Sequence, residues 1–270
     1  MPSLVRLPPE KIVSYEKAKP DAFDRQTENA KRMKIDILAI AAHPDDVELS
    51  CAGTLLAHAA QGKTIGIVDL TRGELGTRGS AELRLREAGA AAQIMGLAAR
   101  ENLELPDGFF ENKPEHQMAV IRAIRKYQPE IVLTNAVQDR HSDHGRAAQM
   151  VRESCFLSGL VKIATETDGV PQPAWRPKAV YHFIQDYYLE PDFIVDITPF
   201  WERKMAAVRA YGSQFHNPDS TEPLTPISNP EFAGFLEARA REFGHRIGVT
   251  FGEAFTAHRT IGVASLFDLK

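Results

Sequence analysis

Short apolar runs alternate along the chain with longer stretches in which apolar residues recur every three or four positions. Ile35–Ile40 is a short, β-branched-rich run and reads as a buried strand. It leads into Ala41-Ala42-His43-Pro44-Asp45-Asp46-Val47-Glu48, and a helical pattern over Ser50–Gln61 stops at Gly62. A second strand is expected over Thr64–Leu70, followed by the polar loop Thr71–Gly79. Ser80 is placed to cap a helix over Ala81–Met95, with Glu82 in its first turn and Gly96 at its stop. A short strand near Asn102–Leu105 comes next, then a helix from Pro114 to Tyr127 with Pro129 beyond its end. Glu130–Thr134 reads as a fourth strand. It opens into the polar turn Gln138–Gly145 and a helix reaching Leu160.

Past that point the pattern loosens. Residues 165–178, punctuated by Pro171, Pro173 and Pro177, read as an irregular loop and a candidate rim or lid. Strands are expected over Val180–Ile184 and Phe193–Ile197, and helices over Pro199–Tyr211 and from Pro230 to Ile247. Strand–helix alternation with short connections predicts an α/β, Rossmann-like fold. Its sheet is mainly parallel with helices on both faces, and its C-terminal third is less regular. Residues 1–33, interrupted by Pro2, Pro8, Pro9 and Pro20, read as an N-terminal extension, docked on the surface or disordered. Residues 34–270 read as one domain, and Met33 is a candidate start that mass spectrometry of native protein would check.

Composition narrows the function. A net charge of −4 gives no reason to expect nucleic acid or an anionic membrane surface as a partner. The cysteines, Cys51 and Cys155, each sit in a helical pattern, which argues against a disulfide framework and for a reducing, cytoplasmic compartment. No apolar run reaches membrane-spanning length and no signal-peptide core is present. The glycines of 73–79 lack both the dinucleotide and the P-loop spacing, so a nucleotide site is the weaker reading.

The candidate chemistry lies in two turns, each leaving the carboxyl end of a predicted strand, where ligands bind in open α/β sheets. His43 and Asp46 are three apart, which brings both to one side of a helical turn, and Asp45 points elsewhere. His141 and His144 repeat that spacing, and one of them can complete a three-ligand site for Zn²⁺ or Fe²⁺. Taken singly, an Asp-Asp pair is more often a helix cap, and a His-x-x-His more often a surface feature. Together at adjacent strand ends they point to metal. Three ligands and an open position imply metal-assisted hydrolysis, because a bound zinc ion brings the pKa of its water down to about 7. Asp45 is then free to accept the water's proton. The unligated histidine, as imidazolium oriented by Asp143, would face the oxyanion.

His43-Pro44-Asp45-Asp46 with Asp139-Arg140-His141-Ser142-Asp143-His144 resembles the PIG-L/LmbE-like zinc deacetylases, from Lys34 to the C-terminus. Thr71–Gly79 and Tyr211-Gly212-Ser213-Gln214-Phe215 are similar to the bacillithiol-pathway branch, which deacetylates N-acetylglucosaminyl-malate. The resemblance implies His43, Asp46 and His144 as zinc ligands, Asp45 as general base and His141 as the oxyanion partner. It also implies Arg84 as a substrate contact, and a homo-oligomer, commonly a hexamer. The family usually has proline where Ser142 stands, which loosens the turn without removing a functional group.

Arg72, Arg78 and Arg84 suit an anionic amino-sugar, since guanidinium groups pair well with carboxylates. The alternative for each arginine is pairing with Glu74, Glu82 or Glu87 on a solvated face. Tyr211 is expected either as a second oxyanion donor or as rim packing. Rival functions are a deacetylase or amidase of another GlcNAc conjugate, such as a thiol S-conjugate, and a non-catalytic sugar-binding module.

Overall fold

A computed structural model describes residues 33–216 and 220–269. The extension expected over residues 1–33 therefore lies, save for Met33, outside the described residues. The strands are β1 (Ile37–Ala41), β2 (Ile65–Asp69), β3 (Ala99–Asn102), β4 (Ile131–Thr134), β5 (Glu166–Thr167), β6 (Val170–Pro171), β7 (Ala179–Phe183), β8 (Phe193–Asp196) and β9 (Gly252–Ala257). The helices are α1 (Asp46–Ser50), α2 (Ala52–Ala59), α3 (Ala81–Met95), α4 (Pro114–Tyr127), α5 (Ser142–Leu157), α6 (Trp201–Arg209) and α7 (Phe232–Arg246).

Seven strands make one sheet in the order β3-β2-β1-β4-β7-β9-β8. β1 is central, paired in parallel with β2 through Ile37–Ile65 and with β4 through Ile37–Ile131. β9 runs antiparallel to both β7 and β8. The mainly parallel α/β prediction holds. Side-chain alternation along β1 builds two cores. Ile37, Ala39 and Ala41 join Leu55 of α2, Ala88 and Met95 of α3 and Ala207 of α6. Leu38 and Ile40 join Val120 and Ile124 of α4 and Ala147 and Val151 of α5. Burying each such large aliphatic contributes about 1.5–3 kcal/mol, so β1 is pinned from both sides.

Local signals placed some elements to the residue. Ser80 Oγ accepts from Leu83 N–H at the start of α3, and Gly96 closes that helix at φ 68°. Pro114 opens α4.

Elsewhere the structure differs. The helix expected over Ser50–Gln61 starts earlier and breaks at Cys51 (φ −141°), giving α1 and α2. Distant partners stabilise the break. Glu253 accepts from Gly53 N (3.0 Å) and Thr54 N (2.6 Å), while Lys204 Nζ and Arg239 Nη2 each donate to Leu49 O at 3.0 Å. β3 lies three residues before its expected place, drawn there by Arg100, which pairs with Asp69 (2.8 Å) and Glu48. β9 was not anticipated at all.

Residues 165–178 are not a lid. They carry the β5–β6 pair, and Trp175 Nε1 donates to Pro129 O (2.7 Å) while Lys178 N donates to Glu130 O (2.7 Å). That fixes them beside the start of β4, at the end of the sheet away from the two turns. Proline spacing marks irregular backbone but not the end of the sheet it occupies.

Candidate metal centre

The site is built where β1, β2 and β4 end. Ala42 N–H donates to Asn135 Oδ1 (2.9 Å) just after β4, and Ala42 O accepts from Thr71 N–H (3.0 Å) just after β2. The chain then turns through His43-Pro44-Asp45 into α1. Asp45 is buried and holds φ 115°, a backbone region that side-chain-bearing residues avoid at a cost on the order of 1–3 kcal/mol. That backbone lets Asp45 and Asp46 present their carboxyl groups differently.

Asp46 lies between two histidines, Oδ2 at 3.5 Å from His43 Nδ1 and Oδ1 at 3.1 Å from His144 Nε2. Its oxygens also accept from His43 N (3.0 Å), Asn135 Nδ2 (3.0 Å) and Gln185 Nε2 (2.7 Å). The Nδ1 of His144 is bonded to Asp139 at 2.5 Å, so Nε2 is the nitrogen aimed at Asp46. A histidine held this way through its far nitrogen presents a lone pair to a metal. Nitrogens of His43, His141 and His144 also lie within 4.8 Å of one another. A buried set of imidazoles and a carboxylate fits a divalent ion such as zinc or iron.

The electrostatics follow from that crowding. Burial opposes charge on His43, yet the carboxylates of Asp107, Asp143 and Asp46 hold its pKa well above the usual value. Burial likewise opposes charge on His144, and Asp46 and Asp139 lift it to about 9. Burial opposes the charge of Asp46 too, and the two histidines nevertheless hold it well below the carboxylate range. Burial, with Asp46 and Glu48 adding to it, pushes Asp45 up to about 7, against the pull of Arg84 and His43.

His141 departs from expectation. Burial and the neighbouring His43 and His144 lower its pKa, and its Nδ1 accepts from the backbone N–H of Asp143 (3.3 Å). That bond assigns the proton of the neutral ring to Nε2. The Asp143 carboxylate does not hold His141; it lies 3.3 Å from His43 Nε2 and accepts from Gly108 N (2.9 Å).

The three arginines separate. Arg84 is buried, bonded to Gln214, and its charge acts on Asp45 and Asp107. Arg72 is exposed on the loop. Arg78 is buried, with Nε donating to Ser213 O (3.0 Å) and 3.7 Å from Glu222, which ties it to the scaffold. Tyr211 corrects the sequence reading. It is fully buried and its hydroxyl donates to Glu48 (3.2 Å), so it reaches neither the rim nor an oxyanion.

Asp107, Asn135, Gln185 and Asp139 were given no role by sequence reasoning. Asp107 sits 3.1 Å from His43 Nε2 and accepts from Leu75 N (2.9 Å). Of the four, only Asp139, five residues before His144, carried a signal in its spacing.

A family model described as PIG-L, GlcNAc-PI de-N-acetylase, matches residues 38–155, the span holding His43, Asp45, Asp46, His141 and His144. A conserved protein of Thermus thermophilus with a solved structure is 33% identical, with TM-score 0.76 over 86% of this chain and 98% of that one. The chain belongs to the PIG-L family. Among its relatives, a diacetylchitobiose deacetylase of Thermococcus kodakarensis is 28% identical over 189 residues, covering 66% of this chain and 70% of the relative. A 4-oxalmesaconate hydratase of Pseudomonas putida is 28% identical over 210 residues, 71% of this chain and 79% of the relative. The relatives are named as a deacetylase and a hydratase, so membership makes the protein an enzyme of the PIG-L type. Among the described residues no helix is long and apolar enough to cross a membrane.

Proposed function

We propose that the protein removes the N-acetyl group of a glucosamine derivative, with His43, Asp46 and His144 holding a divalent cation, zinc or iron(II). The observation that carries this reading is the carboxylate of Asp46 set between His43 Nδ1 and His144 Nε2, with Asp45 next to it in the chain. When bound, the cation supplies Lewis-acid polarisation of the amide carbonyl and lowers the pKa of water. Asp45 takes a proton from the attacking water as oxygen bonds to the amide carbon. It returns that proton to the nitrogen as the C–N bond breaks, releasing acetate and the free amine. His141 donates through Nε2–H to the oxygen on which negative charge develops.

The substrate we propose is N-acetylglucosaminyl-malate. Arg84, acting on Asp45 and Asp107 from the loop side, and the exposed Arg72 are the cations available to its two malyl carboxylates. The resemblance of Thr71–Gly79 to the bacillithiol-pathway enzymes supports the same choice. Acetate release from this substrate, measured with and without chelator, tests the reading. Turnover should stop on metal removal and return with zinc or iron(II); full turnover by metal-free protein would end it.

A second reading, hydration rather than hydrolysis, is favoured by the relative named as a hydratase. Absence of acetate from every N-acetyl substrate would select it.

A further inference from the structure

The segment Tyr211–Phe215 after α6 takes no part in the reaction proposed above, yet it is bonded to Arg78 of the loop before α3 and to Arg84 of α3 itself. Gln214 is 4% exposed; its Oε1 accepts from Arg84 Nη2, and its Nε2 donates to Arg78 O (2.9 Å) and Ser213 Oγ (2.8 Å). Ser213 is fixed in turn by Glu87 of α3, through its N–H and its hydroxyl, both at 2.7 Å. The loop closes on Arg84 from the other side. A Cβ at Gly73 (φ +64°) would overlap Nη1, and one at Gly76 would lie 2.8 Å from Nη2. The guanidinium is thus caged between loop backbone and one side-chain amide. That amide is a neutral acceptor. It fixes the direction of the guanidinium without cancelling its charge, as a carboxylate would.

We infer that Gln214 is the positioning residue that aims Arg84 and keeps its charge available to an acidic group of the substrate. The inference rests on the deacetylase reading and deepens it by naming what selects an acidic aglycone. Gln214→Glu places a carboxylate against Arg84, and Gln214→Met removes the acceptor at similar volume. Both are compared with wild type as metal-loaded full-length chains of unchanged Tm, on N-acetylglucosaminides with acidic and neutral aglycones.

In Gln214→Glu, KM for the acidic substrate should rise about tenfold more than KM for the neutral one, with a smaller change in kcat. Gln214→Met should move the same ratio in the same direction by less. Calorimetric titration with malate alone gives a reading free of turnover, and its Kd should weaken by a similar factor in Gln214→Glu. Equal KM shifts for both substrates, or no malate binding by wild type, would overturn the assignment. Wild type that binds malate but releases no acetate would instead sink the deacetylase reading and leave Gln214 in its role.

Discussion

At the scale of single residues, the centre divides its carboxylates by backbone geometry. Asp46 begins α1 and accepts bonds from three side chains and a backbone N–H, counting the His144 contact, whereas the Asp45 side chain, at φ 115°, makes no capping bond at the start of that helix. Replacing Asp45 by Asn keeps its shape and removes its basicity. Asp45→Asn should keep its metal and lose about 10²–10⁴ in kcat, as removal of a general base does. Metal analysis alongside initial rates checks this, and near-wild-type kcat would remove Asp45 from the base position. Asp139→Asn should leave that chemistry in place but weaken metal affinity about 10–100-fold, because His144 loses the acceptor that orients its ring. Competition against a chelator of known affinity reads the change. The ligand candidates were legible because His43-Pro44-Asp45-Asp46 and His141–His144 are compact in sequence. Asn135 and Gln185 were not, since an amide 89 or 139 positions from Asp46 carries no mark of what it will bond.

At the scale of elements, legibility followed the range of the signal. α3 and α4 were read to the residue because a serine cap, a left-handed glycine and an N1 proline act within one turn. The α1–α2 break was not, because what permits it lies on β9 and α6. Glu253 satisfies the two N–H groups that the break exposes, and Lys204, buried with it, satisfies a carbonyl. Glu253→Ala strands a buried ammonium and two backbone donors, and should destabilise the fold by about 3–5 kcal/mol in urea titrations. Adding Lys204→Met should recover part of that loss, since the unpaired charge is then gone. A double variant as unstable as the sum of the two singles would show that the pair does not act as a unit. The C-terminal third, expected from sequence to be less regular, thus supplies the groups that hold the helix begun by Asp46 in place.

At the scale of the whole molecule, the strand order changes direction at β1, and the crevice between β1 and β4 is the site. His182 of β7 lies beside that crevice in the middle of the sheet. It is 1% exposed, its Nδ1 donates to Asn135 O (2.8 Å), and its Nε2 is buried without a partner among the described residues. Burial, with His258 and Arg152 adding to it, lowers its pKa to about 4, while the Asn135 carbonyl pulls the other way. Between pH 6.5 and 4 the unfolded chain therefore binds a proton that the folded chain refuses, so stability must fall on acidification. One histidine shifted this far contributes about 3 kcal/mol between pH 7 and pH 4. Other groups titrate in the same window, so the measurement is a difference. Urea unfolding of metal-free wild type and of His182→Asn across that range should give a steeper loss for wild type, with the two curves closing by about that amount. Parallel curves would mean that His182 takes up its proton at the same pH in the folded sheet as in the unfolded chain, and that its bond to the Asn135 carbonyl tolerates the charged ring.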